Sequence, residues 1–91
     1  MKITATKAKK LIDKGATIVD IRSPVDFAAG NFPNAVNVPL RNISQLMRFD
    51  RKNPIVFIGN DDTDSELEQA LNYATQMGLV AYSVGGLKNL E

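Results

Sequence analysis

The feature that most constrains the fold is a continuous apolar run, Ile55–Ile58, which follows Pro54 and ends at Gly59. An apolar run without alternation is typical of a strand buried on both faces, as in the middle of a parallel sheet. A short acidic stretch follows it, and then a segment with helical periodicity, Ser65–Met77. A strand, a tight loop and a helix N-terminus together commonly hold an anion in α/β proteins. The order of these pieces predicts an α/β fold with a candidate site in the loop.

Helix and strand signals alternate along the rest of the chain. Thr6 is a candidate N-cap for a first helix that Gly15 ends, and Ser23–Asp26 fits a capping box with proline at N1. Gly78 stands where a glycine commonly ends a helix. Strands separated by helices predict a small, mostly parallel β-sheet with helices on both faces, in a single domain covering residues 1–91. The further helices are predicted at Lys7–Lys14, from Pro24 to Gly30 and at Asn42–Phe49, and the further strands at Thr17–Ile21, Ala35–Val38 and Val80–Val84.

The composition excludes several classes of protein. The chain of 91 residues is 44% hydrophobic and 23% charged, as in an ordinary globular domain. It contains no cysteine, which excludes disulfides, thiolate metal sites and cysteine nucleophiles. No segment has the apolar core of a secretory signal or the length of a membrane span, so the cytoplasm is the expected compartment. Leu90 and Glu91 fit a short cloning remnant.

Charge is distributed unevenly along the chain. The net charge is +1, which gives no general argument for binding to nucleic acid or membranes. The segment 59–68 nevertheless carries −5 and the remainder +6. We expect an acidic patch on a mildly basic body. Without interleaved aromatic residues, the basic side chains of the first helix are interpreted as a solvated surface; they are Lys7, Lys9, Lys10 and Lys14.

Five segments of the chain resemble the rhodanese-homology family in order and spacing. The resemblance extends from residue 3 to residue 86 and implies a rhodanese-like fold. The five segments are Ile18–Arg22 (IVDIR), Ser23–Phe27 (SPVDF), Ala29–Pro39 (AGNFPNAVNVP), Pro54–Ile58 (PIVFI) and Val84–Gly86 (VGG).

The resemblance implies sulfur transfer, but the residue that carries it is missing. In active members of the family, a cysteine follows the central strand, and the loop amides and the next helix stabilise its negative sulfur. Gly59 stands at that position here, so the resemblance implies no catalytic residue and no persulfide. The aspartates of the loop would also repel thiosulfate or phosphate. The corresponding vestigial loop consists of Gly59, Asn60, Asp61, Asp62, Thr63 and Asp64.

Three interpretations of the acidic residues stay open at this point. They can simply cap the following helix, since Thr63–Glu66 and Ser65–Glu68 both fit S/T-x-x-E. A loop carboxylate can instead occupy the former anion site and satisfy its amides. A third alternative is a weak Ca²⁺ or Mg²⁺ site, because Asn60, Asp62 and Asp64 alternate like EF-hand ligands. Against the third, Ser65 and Leu71 stand where that motif requires glycine and glutamate.

Asp20 and Arg22 are the other polar residues of interest. The resemblance implies that they tie the end of a strand to nearby loops, and an active-site role for Arg22 is the alternative. The function expected from the sequence is a catalytically inactive, protein-binding or regulatory domain without cofactor or metal. Its partner is expected to be another protein, reached through the acidic loop face, rather than nucleic acid or membrane. The competing hypotheses are an enzyme or ion-binding domain with a repurposed acidic loop, and a sulfurtransferase by family likeness alone.

Overall fold

The protein is built on a four-stranded sheet, which a computed structural model describes together with its surroundings over residues 2–90. All the strand pairs are parallel, in the order β2-β1-β3-β4. The predicted parallel α/β architecture is therefore confirmed. The strands are β1 (Thr17–Asp20), β2 (Val36–Asn37), β3 (Ile55–Gly59) and β4 (Ala81–Gly86); the helices are α1 (Ala5–Asp13), α2 (Pro24–Ala29) and α3 (Ser65–Gln76), with 3₁₀ segments at Leu40–Arg48 and Leu87–Leu90.

The core consists of two apolar layers, one on each face of the sheet. Every residue of β3 is buried, as its uninterrupted apolar run predicts. Because side chains alternate across a strand, Ile55 and Phe57 pack towards α3 and the 40–48 segment, while Val56 and Ile58 pack towards α1 and the terminal 3₁₀ turn. Helices thus cover both faces, and the carboxyl end of β3 is buried where the candidate site begins.

The first helix begins earlier than its sequence pattern suggests. Thr4, not Thr6, is the N-cap, and its hydroxyl accepts a hydrogen bond from the Lys7 amide at 3.2 Å. The cause lies one residue upstream. The Ile3 amide donates to the Ser83 carbonyl at 2.8 Å, so the chain leaves the edge of β4 at Thr4. At α2, by contrast, the predicted cap is confirmed, since the Ser23 hydroxyl accepts from the Asp26 amide.

Two other predicted elements differ from the structure. The expected regular helix Asn42–Phe49 is a 3₁₀ segment with a break at Asn42, whose amide donates to the Pro39 carbonyl. The last strand extends to Gly86, which pairs with Gly59 of β3. Leu90 is 3% exposed and packs in the α1 layer, whereas Glu91 lies outside the described residues. None of the helices within residues 2–90 combines the length and the apolar character that a bilayer crossing requires.

Candidate functional site

The acidic loop lies at the point where the sheet topology favours a site. From β1 the chain crosses to β2 on one side, and then to β3 and β4 on the other side. The carboxyl ends of β1 and β3 therefore flank the switch point at which open α/β sheets bind their ligands. The segment after β1 contains Arg22, and the segment after β3 is the loop that starts at Gly59.

Position 59 has no room for a side chain. Gly59 is buried and pairs with Gly86 across the end of the sheet. A Cβ atom built on Gly59 would lie 2.7 Å from Leu67 Cγ and 2.9 Å from Asp64 Oδ2. Real Cβ atoms do not approach other heavy atoms this closely, so a larger residue requires both neighbours to move.

The carboxylate of Asp64 accepts hydrogen bonds from both ends of the loop. Its Oδ2 accepts from the Asn60 amide at 2.9 Å and from Asn60 Nδ2 at 3.2 Å. Its Oδ1 accepts from the Glu66 amide at 2.9 Å, which makes Asp64 the N-cap of α3. The capping proposed for Thr63 and Ser65 is therefore made by Asp64 instead, because only a carboxylate offers one oxygen to each end of the loop.

Asp61 stabilises the tip of the loop locally. Its Oδ1 accepts from the amide and the hydroxyl of Thr63, both at 2.9 Å, and its carbonyl accepts from the Asp64 amide at 3.3 Å. These bonds form an Asx turn of the kind that aspartate favours in loops. Asp61 thus orders the loop without contacting the rest of the domain through these bonds.

Asp62 differs from Asp61 and Asp64 because its side-chain bonds connect the loop to other parts of the domain. Its Oδ1 accepts from Asn89 Nδ2 at 2.6 Å and from the Gly86 amide at 3.3 Å, and its Oδ2 lies 3.4 Å from Lys2 Nζ. The hydrogen bond from Asn89, followed by those from Gly86 and Lys2, lowers the pKa of the Asp62 carboxyl below its ordinary value. These side chains line one wall of an open groove of about 450 Å³ beside the N-terminal segment.

Asp20 and Arg22 form a buried ion pair beneath the neighbouring strand end. Asp20 is completely buried and accepts from the Arg22 amide at 2.9 Å, from Nε at 3.0 and 3.1 Å, and from Nη2 at 2.8 Å. The guanidinium also donates to the Gly30 carbonyl at 2.6 Å. The pair therefore joins β1 to the end of α2, and Asn37 of β2 donates to the carbonyls of both residues.

A small cavity lies between the segments that follow β1 and β2 and the start of α3. Its volume of about 180 Å³ is smaller than that of a typical pocket for a drug-sized ligand and suits a single side chain or a very small molecule. It carries one charge of each sign, so it is not a simple anion site. Its lining is formed by Ile21, Ser23, Pro39, Leu40, Arg41 and Glu66.

No group of three acidic, histidine or cysteine side chains converges as metal ligands within the part of the chain that the structure describes. The EF-hand-like alternation of Asn60, Asp62 and Asp64 does not produce a cage, because Asp62 turns towards Asn89 while Asp64 turns towards Asn60 and Glu66. The sequence pattern alone could not show this, since it says nothing of where each carboxylate points.

Comparison with known proteins decides the family. The sequence model of the rhodanese-like domain matches residues 4–91. The chain belongs to the rhodanese-like domain family. A protein from Staphylococcus saprophyticus shares the structure with a TM-score of 0.80 at 26% identity, over 99% of this chain and 92% of that one. A rhodanese-like domain protein from Staphylococcus aureus gives a TM-score of 0.82 at 24% identity, over 100% and 92% of the two chains.

Relatives by sequence share a shorter stretch with this rhodanese-like domain. A tRNA 2-selenouridine synthase from Cronobacter sakazakii is 51% identical over 35 residues, and one from Proteus mirabilis is 38% identical over 40 residues. The matched stretches cover 38% and 44% of this chain but only 9% and 11% of those relatives. The rhodanese-like domain therefore corresponds to a small part of a much longer protein in these cases.

Several residues that organise this rhodanese-like domain could not be identified from the sequence. Lys2, Asn37 and Asn89 make specific polar contacts with the loop or the strand ends, yet each is a common surface residue type without a motif. Leu67 lies within the predicted helix Ser65–Met77, but nothing in the sequence indicates that it fills the space beside Gly59. The one available signal was the glycine pair, since Gly85 has a φ of +84° and allows Asp62 to approach.

Proposed function

We propose that this rhodanese-like domain is non-catalytic and acts as a protein-binding or regulatory module. The observation that carries the proposal is the packing around Gly59. The position that would hold the sulfur nucleophile has no side chain, and the surrounding space is filled by Leu67 and by the carboxylate of Asp64. The chain contains no cysteine that could act from elsewhere.

The hydrogen bonds of Asp64 support the same conclusion. In an active loop, amide groups at this place stabilise the charge of the substrate or the sulfur. Here the Asn60 and Glu66 amides donate to Asp64 Oδ2 and Oδ1. An internal carboxylate occupies these donors, so the loop stays folded without a ligand, and an incoming anion would meet a negative charge.

The proposed docking surface is the exposed acidic face of the loop and of the first turns of α3. Asp61 and Glu68 are exposed and Glu66 is half-buried. Among residues 2–90, the only carboxylate of segment 59–68 that lies within 4.0 Å of a lysine or arginine nitrogen is that of Asp62. A partner with a basic surface would complement the remaining charges, and the small cavity beside Glu66 offers space for one of its side chains.

The first experiment tests catalysis. Purified protein is incubated with thiosulfate and cyanide, and thiocyanate is measured beside a heat-denatured sample and an active rhodanese. We expect thiocyanate at the level of the heat-denatured sample. Formation above that level would overturn the proposal, because it would show sulfur transfer without a thiol.

The second experiment tests the surface. A lysine- and arginine-rich peptide is titrated into ¹⁵N-labelled protein, with a glutamate-rich peptide of equal length as the control. We expect shifts centred on Asp61, Glu66 and Glu68 that weaken at high salt. The triple variant D61N/E66Q/E68Q should lose them. Shifts scattered over the whole surface, or equal shifts with the acidic peptide, would contradict an acidic docking face.

The alternative of divalent-ion catalysis receives no support from the arrangement of the loop carboxylates. The likeness to tRNA 2-selenouridine synthases covers about a tenth of those proteins, so tRNA modification is not proposed for this chain. The cytoplasm stays a prediction from the sequence.

A further inference from the structure

Asp62 links three parts of the chain that are far apart in sequence. It belongs to the acidic loop, Lys2 to the N-terminal segment beside β4, and Asn89 to the terminal 3₁₀ turn. The side-chain bonds of Asp61 and Asp64, in contrast, stay between Asn60 and Glu66 within the part of the chain that the structure describes. Asp62 is therefore the loop aspartate whose bonds connect the loop to both ends of the domain.

We propose that Asp62 is a latch that couples the conformation of the acidic loop to the docking of the terminal 3₁₀ turn, Leu87–Leu90. When the turn is docked, Asn89 and Gly86 donate to Asp62 and hold the loop tip against the end of β4. When the turn is displaced, Asp62 loses its contact with Asn89, while Gly86 stays in β4 and the bonds of Asp61 and Asp64 remain.

The contacts of Asn89 make the turn and the loop a single unit. Asn89 Nδ2 donates to Asp62 Oδ1 at 2.6 Å and to the Val84 carbonyl at 2.7 Å, so one amide group joins the loop, β4 and the terminal turn. Leu90 anchors the other side of the turn because its side chain is buried, with 3% exposed, in the apolar layer beneath α1. Undocking of the turn must break all of these contacts together.

The backbone beneath the latch is shaped for this contact. Gly85 has a φ of +84°, and a Cβ atom there would overlap Asp62 Oδ1. A Cβ atom on Gly86 would lie 3.3 Å from the Asn60 carbonyl oxygen. The glycine pair thus lets the loop rest directly on the end of β4, where small movements of the terminal turn reach it.

Coupling of this kind is reciprocal. Anything that displaces the terminal turn loosens the loop, and anything that pulls Asp62 from its donors loosens the turn. The acidic face is consequently sensitive to events at Lys2 and in the turn Leu87–Leu90, although both lie outside segment 59–68. This inference goes beyond the proposed function and is tested on the free protein, so it can fail while that proposal stands.

Hydrogen exchange measured by NMR on the full chain tests the latch. The variant Asn89→Ala is compared with Asp61→Ala, a control whose lost side-chain bonds lie inside the loop. We expect Asn89→Ala to speed exchange of the Asn60, Thr63 and Asp64 amides about three- to tenfold, although none of them donates to Asn89. Asp61→Ala should affect the Thr63 amide and leave the terminal turn unchanged.

The reverse measurement completes the test. Asp62→Asn should speed exchange at Gly86 and in the terminal turn by a similar factor, and Asp62→Asn/Asn89→Ala should be no faster than the more affected single variant. If Asn89→Ala does not fold, the milder Asn89→Ser, which shortens the side chain and removes the Nδ2 donor, replaces it with the same expectation. Loop exchange that is unchanged in a folded variant, or equal spreading in Asp61→Ala, would overturn the latch.

Discussion

The side chain of Leu67 fills the space that any side chain at Gly59 would need, since Leu67 Cγ lies 2.7 Å from the position of a Cβ atom there. We therefore expect Gly59→Cys to lower the free energy of unfolding by about 1–3 kcal/mol, the usual cost of overpacking a core. Urea unfolding measures the change. Gly30→Ala, where nothing lies within 4 Å of an added Cβ, serves as the control and should cost little.

A double-mutant cycle sharpens that prediction. In a Leu67→Ala background the cysteine at position 59 should cost clearly less than in the parent, because the truncated side chain leaves room for it. Equal cost in the two backgrounds would show that another contact, such as Asp64 Oδ2 at 2.9 Å, opposes the new side chain.

Asp64 should contribute more to stability than its neighbour Asp61. Asp64→Ala removes the N-cap of α3 and the acceptor of the Asn60 amide, and we expect a loss of about 1–2 kcal/mol in the free energy of unfolding. Asp61 is exposed, and Asp61→Ala removes only its bonds to Thr63, so the decrease in the free energy of unfolding should be smaller. Thermal unfolding of the two variants side by side decides the order, and a reversed order would contradict the role assigned to Asp64.

Removal of the Arg22 side chain should lower the free energy of unfolding strongly, although this side chain reaches the surface. Arg22→Ala leaves the fully buried Asp20 without its guanidinium partner, and breaking such a pair commonly costs about 3–5 kcal/mol. Arg22→Lys should cost less but remain destabilising, because an ammonium cannot reproduce the bidentate contact. The exposed Arg48→Ala is the matched control. Chemical denaturation gives all three values, and an Arg22→Ala protein as stable as the control would refute the structural role.

The lowered pKa of Asp62 predicts a pH dependence with a definite sign. In the folded protein Asn89, Gly86 and Lys2 favour the charged carboxylate, so its pKa lies below the ordinary value of 3.8. Its contribution to stability is then fully present above about pH 3.8 and is lost as the pH falls through the lowered folded value. The difference in stability between the parent and Asp62→Asn should shrink in that acidic range and stay constant above it. A difference that grows on acidification would contradict the sign.

Divalent ions should not bind the loop at a defined place. Titration with millimolar Mg²⁺ or Ca²⁺ should leave the amide resonances of Asn60–Asp64 unshifted, because Asp62 and Asp64 point to different donors. Mn²⁺ provides a sensitive companion measurement through paramagnetic broadening. Saturable shifts confined to this segment would favour the ion-binding alternative instead.

The sequence predicted the sheet better than the site, for physical reasons. The apolar run of β3 and the glycine after α3 reflect local preferences, so the strand, the helix and the parallel character of the sheet could be inferred, but not the order of the strands. The residue that caps α3 could not be inferred. Thr63, Asp64 and Ser65 all suit a cap, and the choice depends on the position of the Asn60 amide. The contact of Asp62 with Asn89 joins residues 27 positions apart and leaves no pattern in the chain.

The packing of Leu67 against Gly59 also bears on how such a domain can change over generations. A mutation that introduced a thiol at position 59 would first produce a less stable protein, because Leu67 and Asp64 occupy the space that the new side chain needs. Any gain of a thiol at position 59 is consequently tied to further changes at these two neighbours.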